Sequence, residues 1–130
     1  MLWYLLSSAL LAQVSEPDLG GRWVNKSGSV VVLVARCADA DWCGTVEWAS
    51  EKATSDAARG GTVNLVGTQV LERFAFVGPN HWKGRLFVPD MNKRSKAELR
   101  LLDAERLQVR GCAVGRLLCT SQIWTRAEQP

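Results

Sequence analysis

The side chains able to do chemistry are few, and their spacing argues against catalysis. His81 is the single histidine in 130 residues, so any histidine-based acid–base step would have to pass through it. It follows a turn signal at Gly78-Pro79-Asn80, where a surface or hydrogen-bonded role is expected. No Gly-x-Ser-x-Gly elbow is present, so no serine is set up as a nucleophile. Asp39 with Asp41, and Glu47 with Glu51, are carboxylate pairs of the kind that flank a glycosidic bond, but loop acids at such spacings are ordinarily solvated. Phosphate loops, dinucleotide fingerprints and dense calcium loops are missing as well. Asp90-x-Asn92 reads as a hairpin turn within Pro89-Asp90-Met91-Asn92. The expectation is a protein that is not an enzyme and uses neither cofactor nor metal.

The four cysteines fall in two close pairs, Cys37 with Cys43 and Cys112 with Cys119. Zinc sites space paired thiolates more tightly, by two to four residues, and only His81 could assist them. An even count in an exported chain favours disulfides. Three connectivities are open. Two local bridges are preferred, because each pair flanks a Gly- or Asp-containing stretch able to turn the chain back. Four buried free thiols in a cytosolic protein is the alternative.

Compartment rests on the first twelve residues. Met1 to Ala12 reads MLWYLLSSALLA, uncharged and too short to span a bilayer. It has the length of a signal-peptide hydrophobic region, with cleavage after Ala12, although no Lys or Arg precedes it. A segment packed on the domain is the competing reading. The expected location is periplasmic or secreted, without stable membrane insertion. A single domain would then occupy residues 18–127, a size that fits one core.

Charge is uneven along the chain. Residues 1–65 hold five basic and seven acidic side chains, whereas residues 66–130 hold eleven and six. Lys93, Arg94 and Lys96 form the densest cluster and read as a solvated hairpin tip, though a basic half can also attract anionic partners. Nucleic acid is not an expected partner, because the leader and the disulfides argue for export.

Strand signals dominate the rest. Arg22–Asn25, Val30–Val34, Thr45–Trp48, Gln69–Phe76, Arg85–Val88, Ala97–Leu101, Arg106–Arg110 and Ser121–Arg126 are short, alternating or β-branched runs separated by Gly, Pro, Asn or Asp. Between them, Glu51 to Ala58 lacks Gly and Pro and allows a helical turn. This pattern predicts an all-β fold: an antiparallel up-and-down barrel of about eight short strands, with the last strand bonded to the first so that no sheet edge stays open. Six tryptophans is a high count. If the barrel closes, Trp23 on the first strand and Arg126 on the last become neighbours, and the guanidinium would lie over the indole.

Gly21-Arg22-Trp23 with a late-strand Arg resembles the closing motif of the lipocalin and calycin superfamily. A longer series resembles the small exported bacterial family catalogued as domain of unknown function 2147. That series comprises Cys37, Cys43-Gly44, Trp82-Lys83-Gly84-Arg85-Leu86-Phe87-Val88-Pro89-Asp90, Leu107-Gln108-Val109-Arg110-Gly111-Cys112, Leu118-Cys119 and Gln122-Ile123-Trp124-Thr125-Arg126. After Asn92 the family continues Gly-Lys-x-Tyr, whereas this chain has Lys93-Arg94-Ser95-Lys96. The resemblance implies a lipocalin-like barrel outside the cytoplasm and no particular reaction. A barrel of this size either holds one small ligand or is filled by its own side chains. The expected function is non-catalytic binding of a small apolar or amphiphilic molecule. Trp23, Trp82, Leu86, Leu99, Trp124 and Arg126 are the candidate ligand-binding residues. The alternative is a structural or protein-interaction module of the cell envelope with a packed core.

Overall fold

The computed structural model describes residues 15–112 and 119–127. The expected leader at residues 1–12, with Trp3, and Leu118 lie outside them. The described chain is a closed barrel whose eight antiparallel strands follow sequence order. They are β1 (Gly21–Val24), β2 (Val30–Arg36), β3 (Trp42–Ala49), β4 (Gln69–Gly78), β5 (His81–Val88), β6 (Lys93–Asp103), β7 (Arg106–Cys112) and β8 (Cys119–Arg126). Closure is made by β1 against β8, with Trp23 opposite Arg126 and Val24 opposite Thr125. Every strand therefore has two neighbours, as the alternating pattern predicted.

Alternation sets what points inward. On β6 and β7, Leu99 faces Val109 across the ladder and both are buried, while Arg100 and Arg110 between and beyond them are exposed. Trp23, Val32, Val34, Val46, Leu71, Phe74, Trp82, Leu99, Leu107 and Trp124 form one continuous core. Burying side chains of this size contributes about 1.5–3 kcal/mol each. Leu86 and Leu101 are partly buried and pack against that core.

The barrel is not round everywhere. A Cβ on Gly84 would sit 2.8 Å from both the Phe74 ring and the Glu72 carbonyl oxygen. Only glycine lets β4 and β5 come so close while Phe74 fills the interior. The β4 register shifts nearby, between Glu72 and Ala75, and Arg73 takes a positive φ of 52°.

One helix interrupts the meander. α1 (Glu51–Gly60) is longer than the expected turn, because both ends are capped. Ser50 Oγ accepts from the Ala53 amide at 3.1 Å, and Gly61 adopts the left-handed conformation at φ 115°. Ala57 is its buried residue.

The basic cluster is not the hairpin tip expected from the sequence: Lys93, Arg94 and Lys96 lie in the first four residues of β6, paired with Val88, Phe87 and Arg85. The reversal is completed by Pro89–Asn92, with Asn92 at φ 51°. A strand start without apolar residues carries no period-2 signal, and its pairing is dictated by β5.

Both local disulfides are present: Cys37–Cys43 and Cys112–Cys119. The first ties the β2–β3 reversal, and the second joins directly opposed residues of β7 and β8.

Candidate functional site

Up-and-down order places alternate connections at alternate ends. One end gathers residues 15–20, the β2–β3 and β4–β5 turns, the β6–β7 turn and the end of β8. This end is plugged. Glu16 Oε2 accepts from two indoles, Trp42 Nε1 at 2.7 Å and Trp82 Nε1 at 2.8 Å. Its other oxygen accepts from Arg36 at 3.1 Å, and the Arg36 guanidinium lies 4.1 Å over the Trp42 ring. Burial pushes the Glu16 carboxyl up, but the bonds from Trp82, Trp42 and Arg36 and the Arg36 charge outweigh it and hold the group below the ordinary glutamate range.

Beside this carboxylate, Leu19 is fully buried and its carbonyl accepts from Trp23 Nε1 at 2.9 Å. The Arg126 guanidinium stacks 4.3 Å over Trp23. It donates to Gly20 O at 2.7 Å, Asp18 O at 3.1 Å and Ala104 O at 2.9 Å. One side chain therefore fastens the 15–20 segment, the β6–β7 turn and both closing strands. The expected Trp23–Arg126 pairing is observed, and its role is to seal an end.

The opposite end is open. A cavity of about 330 Å³ lies between the barrel wall and α1, lined by Val32, Val46, Leu65, Val70, Leu86 and Trp124, with Ala53 and Asp56 contributed by the helix. Thr120 and Gln122 of β8 also line it. Most of the polar groups here already have partners. Asp56 bonds Lys52 at 2.9 Å and also Arg59, and Asn25 Oδ1 accepts from the Ser29 and Val30 amides. Gln122 Oε1 accepts from Trp124 Nε1 at 2.9 Å, which leaves its amide N–H groups as donors at the rim. The arrangement can hold an apolar body against Trp124 and Leu86 and offer hydrogen bonds to a polar head.

The six candidate residues therefore divide between the two ends. Leu86 and Trp124 line the cavity. Trp23, Trp82 and Leu99 are fully buried, the two indoles at the plugged end, and Arg126 covers that end from outside. Sequence reasoning missed Glu16, because an acid ahead of the first strand lies outside every strand pattern. It also missed Val46, Leu65 and Val70, which belong to β3, the α1–β4 connection and the start of β4.

Of the other chemistry-bearing residues, His81, Asp41 and Glu47 are held in pairs, while Asp39 and Glu51 are exposed. His81 Nε2 lies 2.9 Å from Glu98 Oε1. Asp41 pairs with Arg73 and Glu47 with Arg22. Among the described residues no cluster of His, Cys, Asp and Glu could hold a metal ion, and no helix is long and apolar enough to cross a membrane.

No curated protein and no solved structure matches the chain. Residues 21–126 match the family model described as uncharacterized protein conserved in bacteria (DUF2147). They run from the first residue of β1 to the last of β8, and so take in the whole barrel. Within that span the motif residues acquire physical reasons: Trp82 bonds the plug, Gly84 permits the β4–β5 approach, and Arg126 seals the closure. The chain belongs to this bacterial family.

Proposed function

We propose that this protein is an exported, non-catalytic carrier that takes a small apolar or amphiphilic molecule in the open end of its barrel. The observation that carries this reading is the apolar cavity of about 330 Å³ beneath α1, in a barrel whose other end is plugged. That volume lies near the lower limit for small-molecule sites, roughly 300–1,000 Å³. A medium-chain fatty acid or a single-ring aromatic suits it better than a full phospholipid. The two disulfides support residence in an oxidising compartment.

The test is displacement of an environment-sensitive apolar dye by octanoate and by small aromatic acids, measured on the full chain and on Ala53→Phe. Ala53 lines the cavity from α1 and is only partly buried, so the larger ring should fill the space without entering the packed core. Saturable displacement from the parent, lost in Ala53→Phe, is the expected result. A non-saturable response in the parent, or equal displacement from both proteins, would overturn the carrier reading and favour a packed envelope module.

A further inference from the structure

The outer wall of the barrel on β5–β7 carries a second feature, independent of the cavity. Lys83 and Arg85 of β5, Lys96 of β6 and Arg110 of β7 are all exposed and surround an open groove of about 600 Å³. Arg85 and Lys96 stand directly opposite each other on the ladder, an arrangement of like charges that is unfavourable unless an anion relieves it. None of the four has an ion pair among the described residues. The one acid in the groove, Glu98, faces Lys83 and Arg110; it bonds His81, pairs with Arg100 and also feels the Lys83 charge, so a single carboxylate is shared among them. Nearby Arg94 is spent on Glu72.

The turn of the same β5–β6 hairpin, at the open end, and the α1–β4 connection carry exposed apolar side chains. Met91, in the β5–β6 turn, is 59% exposed, and Val63 is 74% exposed. The loops carrying them are bonded together, since Thr62 Oγ1 donates to Pro89 O at 2.9 Å and Gly61 sits against Asn92. Cations beside protruding apolar tips suit a lipid–water interface, where headgroups take the charge and the tips enter the acyl boundary. A single-stranded nucleic acid would instead ask for exposed aromatic rings between the cations. The groove offers none, and Phe87 beside it is buried with Arg94 over its ring.

We propose that the β5–β7 outer face and the Val63–Met91 corner form a docking surface for an anionic phospholipid bilayer. Binding is peripheral and reversible, and it does not depend on what the cavity holds.

Vesicle co-sedimentation of the full chain tests this. Vesicles of phosphatidylcholine alone are compared with vesicles containing one third phosphatidylglycerol. The expected result is binding to the anionic vesicles only, weakening steeply as salt is raised. Arg85→Glu/Lys96→Glu should lower affinity by roughly 30-fold or more. Lys26→Glu/Lys52→Glu, an equal charge change on exposed residues away from the groove, should lower it far less. Met91→Asp should reduce the binding that survives at high salt. Circular dichroism establishes that each variant is folded. Equal losses in the two double variants would reduce the effect to net charge and overturn the proposal. Equal binding to both vesicle types would overturn it, as would preference for soluble single-stranded DNA over the vesicles.

Discussion

The two ends of the barrel use tryptophan in opposite ways. At the plugged end Trp23, Trp42 and Trp82 each donate to an acceptor supplied by residues 16–19, and guanidinium groups cover two of the rings. At the open end Trp124 donates only to Gln122, a neighbour on its own strand, and its ring faces space beneath a short helix. The polar acceptors are what differ. An indole whose N–H is met by a segment crossing the barrel mouth becomes part of a seal. One whose N–H is met locally leaves the mouth free. The plugged end should therefore carry stability and the open end should carry binding.

The largest predicted effect lies at the seal. Trp82→Ala removes a fully buried ring and strips Glu16 of a donor, and should cost about 3–5 kcal/mol in denaturant unfolding. A loss below about 1 kcal/mol would mean that the plugged end is not the stabilising one. Glu16→Ala leaves two indole N–H groups without their acceptor and should cost at least about 2 kcal/mol. Removing the Cys37–Cys43 bridge at the same end, as Cys37→Ala/Cys43→Ala, should lower stability by about 2 kcal/mol, the loop-entropy value for so short a ring.

Acidity sharpens the contrast. The Glu16 carboxyl titrates lower in the folded chain than in the unfolded one. Its contribution is therefore present above the unfolded glutamate value, about 4.3, and is lost as pH falls through the folded value. Glu98 shifts in the same direction, chiefly through its hydrogen bond to His81. Glu16→Gln should accordingly flatten the acid limb of a stability–pH profile without abolishing it; an unchanged profile would contradict the role given to Glu16. Arg126→Lys should cost only about 1 kcal/mol, since an ammonium keeps the charge but loses the flat stack and part of the carbonyl fork. At the other end, Leu86→Ala should enlarge the cavity and alter ligand preference, with a stability loss smaller than that of Trp82→Ala, because Leu86 is only partly buried.

How much of this was legible in the sequence depended on whether the signal was periodic. Arg106–Arg110 and Ala97–Leu101 alternate cleanly; the first was readable to within two residues, and the second only from Ala97 onward, four residues after β6 begins. The Trp23–Arg126 contact was readable because a closed meander must bring the first strand beside the last. The hairpin-tip reading of Lys93–Lys96 failed for the complementary reason: three cations and a serine have no apolar face, and only pairing with β5 makes them a strand. Glu16 was invisible because nothing local distinguishes it from a solvated acid. Its role comes from two indoles contributed 26 and 66 residues later. The division of Leu86 and Trp124 from Trp23, Trp82 and Leu99 was equally hidden, since alternation tells which residues point inward but not which end of the interior is filled.

The most direct measurement follows the indole N–H resonances of Trp23, Trp42, Trp48, Trp82 and Trp124 in a nitrogen-15 NMR titration with octanoate. Trp124 should shift saturably while Trp23, Trp42 and Trp82 hold their positions. Movement of the three sealed indoles together with Trp124, or no saturable shift at Trp124, would contradict a barrel that is closed at one end and receptive at the other.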